Sequence, residues 1–119
     1  MLVPVFEEML MRGYILRVAF QWDEARKQRL KDPLSVAFNE RSVNEVQPGD
    51  WSWAAILIST VAFALGHQVR EWPAAMLYGL FMAFLWVFRK DLLTSIVAHA
   101  TTNITLALYV FTTGKWYYW

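Results

Sequence analysis

The sequence contains no cysteine, only two histidines, and almost no net charge. Without cysteine there can be no disulfide framework, no thiolate zinc site and no cysteine nucleophile. Eleven Lys and Arg stand against ten Asp and Glu, giving a formal charge of +1. The chain therefore lacks the basic field that a nucleic-acid partner requires, and none is expected. No His-Glu-x-x-His pair is present, which excludes the common helix-borne zinc protease motif. Repeats and low-complexity tracts are absent too. A secretory signal peptide is not expected, because Glu7 and Glu8 occupy the place of its apolar core. Charge as a whole is scarce: 18% of residues, against about 25% in soluble domains.

What fills the space is apolar. Fifty-seven per cent of the 119 residues are hydrophobic and 17% aromatic, against about 45–50% apolar in a soluble domain. Eleven of the 21 charged residues are confined to residues 23–50. Four apolar segments remain, over residues 2–22, 51–67, 73–88 and 92–111. A bilayer core of about 30 Å takes roughly 20 helical residues to cross. The last segment meets this outright, and interfacial flanks can extend the second and third. Backbone groups in lipid must pair internally, so these segments should be helices. The expectation is an all-α, polytopic membrane bundle of about four transmembrane helices. It comprises a first helix (residues 1–22), a polar loop (23–50) and a three-helix portion (51–119). Asp50 and Asp91 are placed to cap helices, and Pro73 suits a first turn. The seven tryptophans, at 22, 51, 53, 72, 86, 116 and 119, fall near segment ends, as an aromatic belt would. Met1 stands only six residues before the first polar motif, so the chain reads as the N-terminally truncated core of a longer protein.

Polar residues inside such segments are costly and mark functional sites by default. Three groups occur: Glu7-Glu8-x-x-x-Arg12, Phe63-x-x-x-His67 and His99-x-x-x-Asn103. A spacing of four puts Glu8 with Arg12, Phe63 with His67, and His99 with Asn103, each pair on one helix face. Each group also has an ordinary structural explanation. The acids could complement a helix dipole while Arg12 snorkels. His67 could be a helix-end or interface residue. His99 and Asn103, about 10 and 16 Å into the last segment by helical rise, could bond another helix or Thr101 and Thr102. Asn103-Ile104-Thr105 is a glycosylation sequon, discounted at membrane depth. Threading the chain from the side that carries residues 23–50 puts Glu7, Glu8 and His67 in the opposite half, with Asn103 pointing into it. Six polar residues from three helices could thus line one cavity.

The order Glu-Glu-x-x-x-Arg, Phe-x-x-x-His, His-x-x-x-Asn resembles the CPBP family, the CAAX proteases and bacteriocin-processing enzymes also called Abi. All three motifs are intact between Glu7 and Asn103. The wording from Val97 to Asn103, with Leu108-Tyr109-Val110 and Thr113-Gly114-Lys115-Trp116, is similar to the branch associated with exosortase systems. The resemblance implies an intramembrane endopeptidase of the bacterial cytoplasmic membrane that acts on peptide or protein substrates held at the lipid bilayer, with a possible exosortase link. It makes Glu7 the base and His67 its partner in holding water. His99 and Asn103 become oxyanion donors, while Glu8 and Arg12 orient the site. No cofactor is required on this mechanism. The alternative is zinc held by Glu7, His67 and His99, with one position left for water.

Orientation is contested. Arg26, Lys27, Arg29, Lys31, Arg41, Arg89 and Lys90 place the polar loop in the cytoplasm, and the motif-bearing half outside. CAAX processing in eukaryotic relatives is cytosolic, which implies the reverse. Two other function classes stay open: a membrane scaffold or immunity-type protein without catalysis, and a subunit of a proton or solute pathway.

Overall fold

The computed structural model describes residues 2–118, all of whose regular elements are helical. The chain opens with one long helical run. Its α1 (Leu2–Leu10) and α2 (Leu16–Lys27) are joined without a break by a π-helical turn at Met11–Ile15. Single π turns are rare and recur at functional positions; this one carries Arg12. The polar insert follows, and then α4 (Trp53–Leu65), α5 (Trp72–Arg89) and α6 (Leu92–Thr113).

Local chemistry sets most of the boundaries. Pro73 lies in the first turn of α5, and the Asp91 side chain caps α6 at Thr94, both as the sequence predicts. Lys90 adopts a left-handed conformation (φ 55°) and returns its N–H to the Trp86 carbonyl, so α5 stops there and α6 folds back. The cap of α4 differs from expectation. Ser52, not Asp50, accepts the Ala55 N–H at 3.1 Å. Asp50 is taken up in the preceding turn, where its carboxylate accepts the Gln47 N–H at 3.1 Å. Gly49 supplies the positive φ of 89° that this turn needs.

As a result α4 has 13 residues, about 20 Å by helical rise, and ends before His67. Two described helices are long and apolar enough to cross a membrane, Val69–Arg89 and Leu92–Thr113, where the sequence suggests about four segments. The first helical run carries too much charge to qualify, and α4 is too short.

Small residues let the helices approach. Leu16, Ala19, Ala55, Ile56, Ala83 and Trp86 form a core between α2, α4 and α5. A second cluster joins Met11, Phe63, Ala64 and Ala75. A Cβ on Gly79 would stand 3.3 Å from Thr60 Cγ2, so α5 crosses α4 at the distance glycine permits. Trp86 corrects the aromatic belt. It is fully buried, and the Arg17 guanidinium lies 5.2 Å from its ring. Trp51, Trp53, Trp72 and Trp116 are exposed, while Trp119 lies outside the described residues.

The segment expected as a polar loop is instead a folded cap. α2 continues through Asp23 to Lys27, then α3 (Pro33–Ser35), a π turn (Val36–Glu40) and a 3-10 turn (Val43–Glu45) follow. Val36, Ala37 and Val46 are buried, and Gln21 Nε2 donates to the Ser42 carbonyl at 2.6 Å. The apolar periodicity that would reveal this is too short to stand out among so many charges.

Asp23 locks the end of α2. Its buried carboxylate meets Arg26 at 2.7 Å and Lys27 at 2.9 Å. Hydrogen bonds from these two cations hold its pKa down, from 3.8 to about 2. A pKa lower in the folded than in the unfolded state stabilises fully above about pH 4, and that stabilisation disappears as the pH falls toward 2. Both cations are more than half exposed, so solvent screening limits the contribution to about 1 kcal/mol. Thermal melts from pH 5 to pH 2 should show Asp23→Asn less stable than wild type at the upper end and equal to it at the lower. A constant gap across the range would remove Asp23 from this role.

Candidate active site

Glu8 and Arg12 project from successive turns of the first helical run into a site with no solvent exposure. Arg12 Nη1 donates to Glu8 Oε1 at 3.2 Å, and Nη2 donates to the Gly79 carbonyl at 2.9 Å. The guanidinium also sits 5.7 Å from the Phe63 ring centre. An α1 carboxylate is thereby tied to both α4 and α5. Arginine suits this place because its planar fork serves two acceptors at once.

His99 comes to the same carboxylate from α6. Its Nδ1 lies 2.8 Å from Glu8 Oε1, and its Nε2 lies 3.2 Å from Glu7 Oε2. Since the Glu8 oxygen already accepts from Arg12, the proton of this bond belongs to Nδ1. That fixes the tautomer, as a partner on one ring nitrogen does. The Nε2–Glu7 contact is an ion pair when the imidazole is protonated. Glu8, Arg12 and His99 are buried, whereas the Glu7 side chain is 35% exposed. The one partly open member of the relay is its end.

Aromatic rings hold the imidazoles. Phe63 packs against both His67 and His99, at 4.7 and 5.9 Å between ring centres, and Tyr78 meets His99 edge-on at 5.5 Å. His67 lies just past the end of α4, where its Nδ1–H donates to the Phe63 carbonyl at 2.9 Å. Nε2 is its remaining polar atom. Phe63, His67, Tyr78, His99, Thr102 and Asn103 line one cavity of about 750 Å³. At its rim Arg70 Nη2 donates to the Tyr117 carbonyl at 3.0 Å.

The six residues singled out by sequence therefore separate into two sets that share His99. Glu7, Glu8, Arg12 and His99 are bonded into one relay; His67, His99 and Asn103 share the cavity wall. No bond joins Glu7 to His67 among the described residues, and Glu7 meets His99 instead. The reason is the length of α4: it ends at Leu65, so the backbone beyond it turns and the imidazole is captured by the carbonyl one turn back. Nor do three His, Asp or Glu side chains gather as metal ligands among the described residues. The set Glu7, His67 and His99 is not assembled in this conformation, and both nitrogens of His99 are occupied by carboxylates.

The family model for type II CAAX prenyl endopeptidase, Rce1-like, matches residues 1–105. The chain belongs to the Rce1-like family. The match spans all four members of the relay and all three polar motifs. At the level of the family this is a CAAX protease-type enzyme embedded in membrane, in keeping with the two helices long enough to cross one. No curated protein and no solved structure matches the chain. Within the Rce1-like match, sequence reading passed over two contributors to the site. Gly79 supplies a carbonyl to Arg12, and Tyr78 packs on His99. A lone glycine inside an otherwise apolar helix was the available signal for close approach. Nothing in the sequence distinguished Tyr78 from an interfacial aromatic residue.

Proposed function

We propose that this Rce1-like chain is an intramembrane endopeptidase that hydrolyses a peptide bond by an activated water. The observation that carries the proposal is the relay Arg12–Glu8–His99–Glu7, with links of 3.2, 2.8 and 3.2 Å, ending in a partly exposed carboxylate. Glu7 takes a proton from water while the oxygen bonds to the scissile carbonyl carbon. The carbonyl oxygen becomes negative and is met by Asn103 Nδ2 and by the Nε2–H of His99, which leaves Glu7 as the charge develops. Glu7 then returns its proton to the amide nitrogen as the C–N bond breaks, yielding a carboxylic acid and an amine. Glu8 and Arg12 keep the His99 ring in register. His67 is the partner of Glu7 in holding the water. Donors aimed at developing charge in a dry cavity act strongly.

The substrate class proposed is a membrane-associated peptide processed near its C-terminus, in the bacterial cytoplasmic membrane. Similarity of residues 97–116 to the exosortase-associated branch further suggests that an exosortase gene neighbours this one.

Purified protein in liposomes, given a fluorogenic peptide with a farnesylated Cys-a-a-X end, tests the chemistry. Asn103→Ala should lower the rate about 10²–10³-fold, the usual effect of losing an oxyanion donor, and His99→Ala at least as much. A strong chelator should leave cleavage intact. If neither substitution alters cleavage, the protease function is refuted; loss restored by zinc would refute the metal-free mechanism.

A further inference from the structure

Arg70 is a cation in the cavity wall that the proposed chemistry leaves unused. It lines the same cavity of about 750 Å³ as His67, His99 and Asn103, and it is solvent-exposed. Among the described residues no carboxylate forms an ion pair with it. Its bond to the Tyr117 carbonyl, at 3.0 Å from Nη2, occupies one of five N–H donors and steadies the fork at the rim. The backbone that carries it is also held, because Trp72 Nε1 donates to the His67 carbonyl at 3.2 Å. Glu71, the acid of the same wall, is turned back on its own turn, where Oε2 accepts the Gln68 N–H at 3.3 Å. No side chain caps the N-terminus of α5 beside Arg70, so the positive end of that helix dipole adds to the guanidinium charge. The rim of the cavity therefore favours an anion, while its far wall holds the relay.

We infer that Arg70 is a specificity residue, which binds the free C-terminal carboxylate of the peptide substrate. The inference rests on the protease function proposed above. A guanidinium suits a carboxylate because its planar fork can give two parallel hydrogen bonds, and four donors of Arg70 remain for them. The dimensions agree. Tyr78, which packs on His99, lies six residues beyond Trp72 on α5, about 9 Å by helical rise. An extended peptide advances about 3.3 Å per residue. A chain end held at Arg70 thus brings a peptide bond about three residues upstream to the level of His99. Arg70 touches the substrate but takes no part in bond cleavage, so its effect belongs to binding.

Two forms of the farnesylated reporter peptide test this in liposomes, one ending in a free carboxylate and one in a C-terminal amide. Wild type should cleave the amide with kcat/KM at least tenfold lower, the range of a hydrogen bond to a charged group. The loss should fall on KM, as for binding equal in ground and transition states. Arg70→Gln should slow cleavage of the acid form and bring the two peptides within about twofold of each other. The ratio cancels any general damage from losing the Tyr117 bond. Should Arg70→Gln fail to fold, Arg70→Lys is read instead, and its preference for the acid should be reduced. Equal cleavage of both peptides by wild type, with Glu7→Gln inactive, overturns the role of Arg70 and leaves the protease function standing. An undiminished preference in the Arg70 variant overturns it too, and makes Arg70 an anchor to lipid headgroups. Absence of cleavage of either peptide by wild type, or full activity in Glu7→Gln, refutes the protease function and this inference together.

Discussion

Arg12→Leu should destabilise the bundle by about 3–5 kcal/mol, the usual loss when one partner of a buried ion pair is removed. The magnitude follows from what is left behind. Glu8 has no solvent exposure, and its Oε2 has no hydrogen-bond partner in the protein. Without Arg12 its carboxylate keeps a single polar contact, to His99, and an ionised carboxylate in that position is poorly compensated. Gly79 would lose the donor to its carbonyl as well. Replacing both residues, Glu8→Leu with Arg12→Leu, should recover much of the loss, because buried pairs often exchange with apolar residues at little net cost. Unfolding in detergent micelles by denaturant, monitored by circular dichroism, measures both variants. A single variant that loses less than about 1 kcal/mol, the range of an exposed pair, would show that this pair does not anchor the fold.

Glu7→Gln should leave the fold intact and reduce cleavage about 10²–10⁴-fold, the range of a lost general base. Glutamine has the shape of glutamate and can still meet His99 Nε2, but it cannot take a proton from water. The partly exposed Glu7 side chain supports no core packing, so the melting temperature should change little. The loss should fall on kcat with KM nearly constant, which marks an interaction made in the transition state alone. A rate within tenfold of wild type would remove Glu7 as the base. Normal melting with abolished cleavage would instead separate its chemistry from the structural duty of Glu8, one residue away.

That separation shows where sequence and tertiary structure each contribute. Glu7 and Glu8 are adjacent and chemically identical, yet a helix turns them about 100° apart. The spacing of Glu8 and Arg12 predicts their pairing, and the structure contains it. Which carboxylate faces His99 Nε2 and which faces Nδ1 depends on how α6 lies against α1, a contact between residues more than ninety positions apart. Trp86 makes the same point. Its place near a segment end reads as interfacial, but the small residues Ala19, Ala55 and Ala83 pack with it in one core and enclose it. At α4 the sequence misleads because Asp50 and Ser52 are both good caps; the turn through Gly49 claims the first.

The sequence by itself determined the helical, lipid-compatible class and the inventory of chemistry. Scarcity of charge, apolar length and the four-residue spacings are local properties, and helical periodicity converts them directly into faces. Tertiary structure alone decided the pairing. It set Glu7 against His99 rather than His67, and brought the Gly79 carbonyl of α5 to Arg12. Those outcomes depend on where helices stop and how closely they cross, which single side chains such as Gly79 control across distances that no sequence window contains.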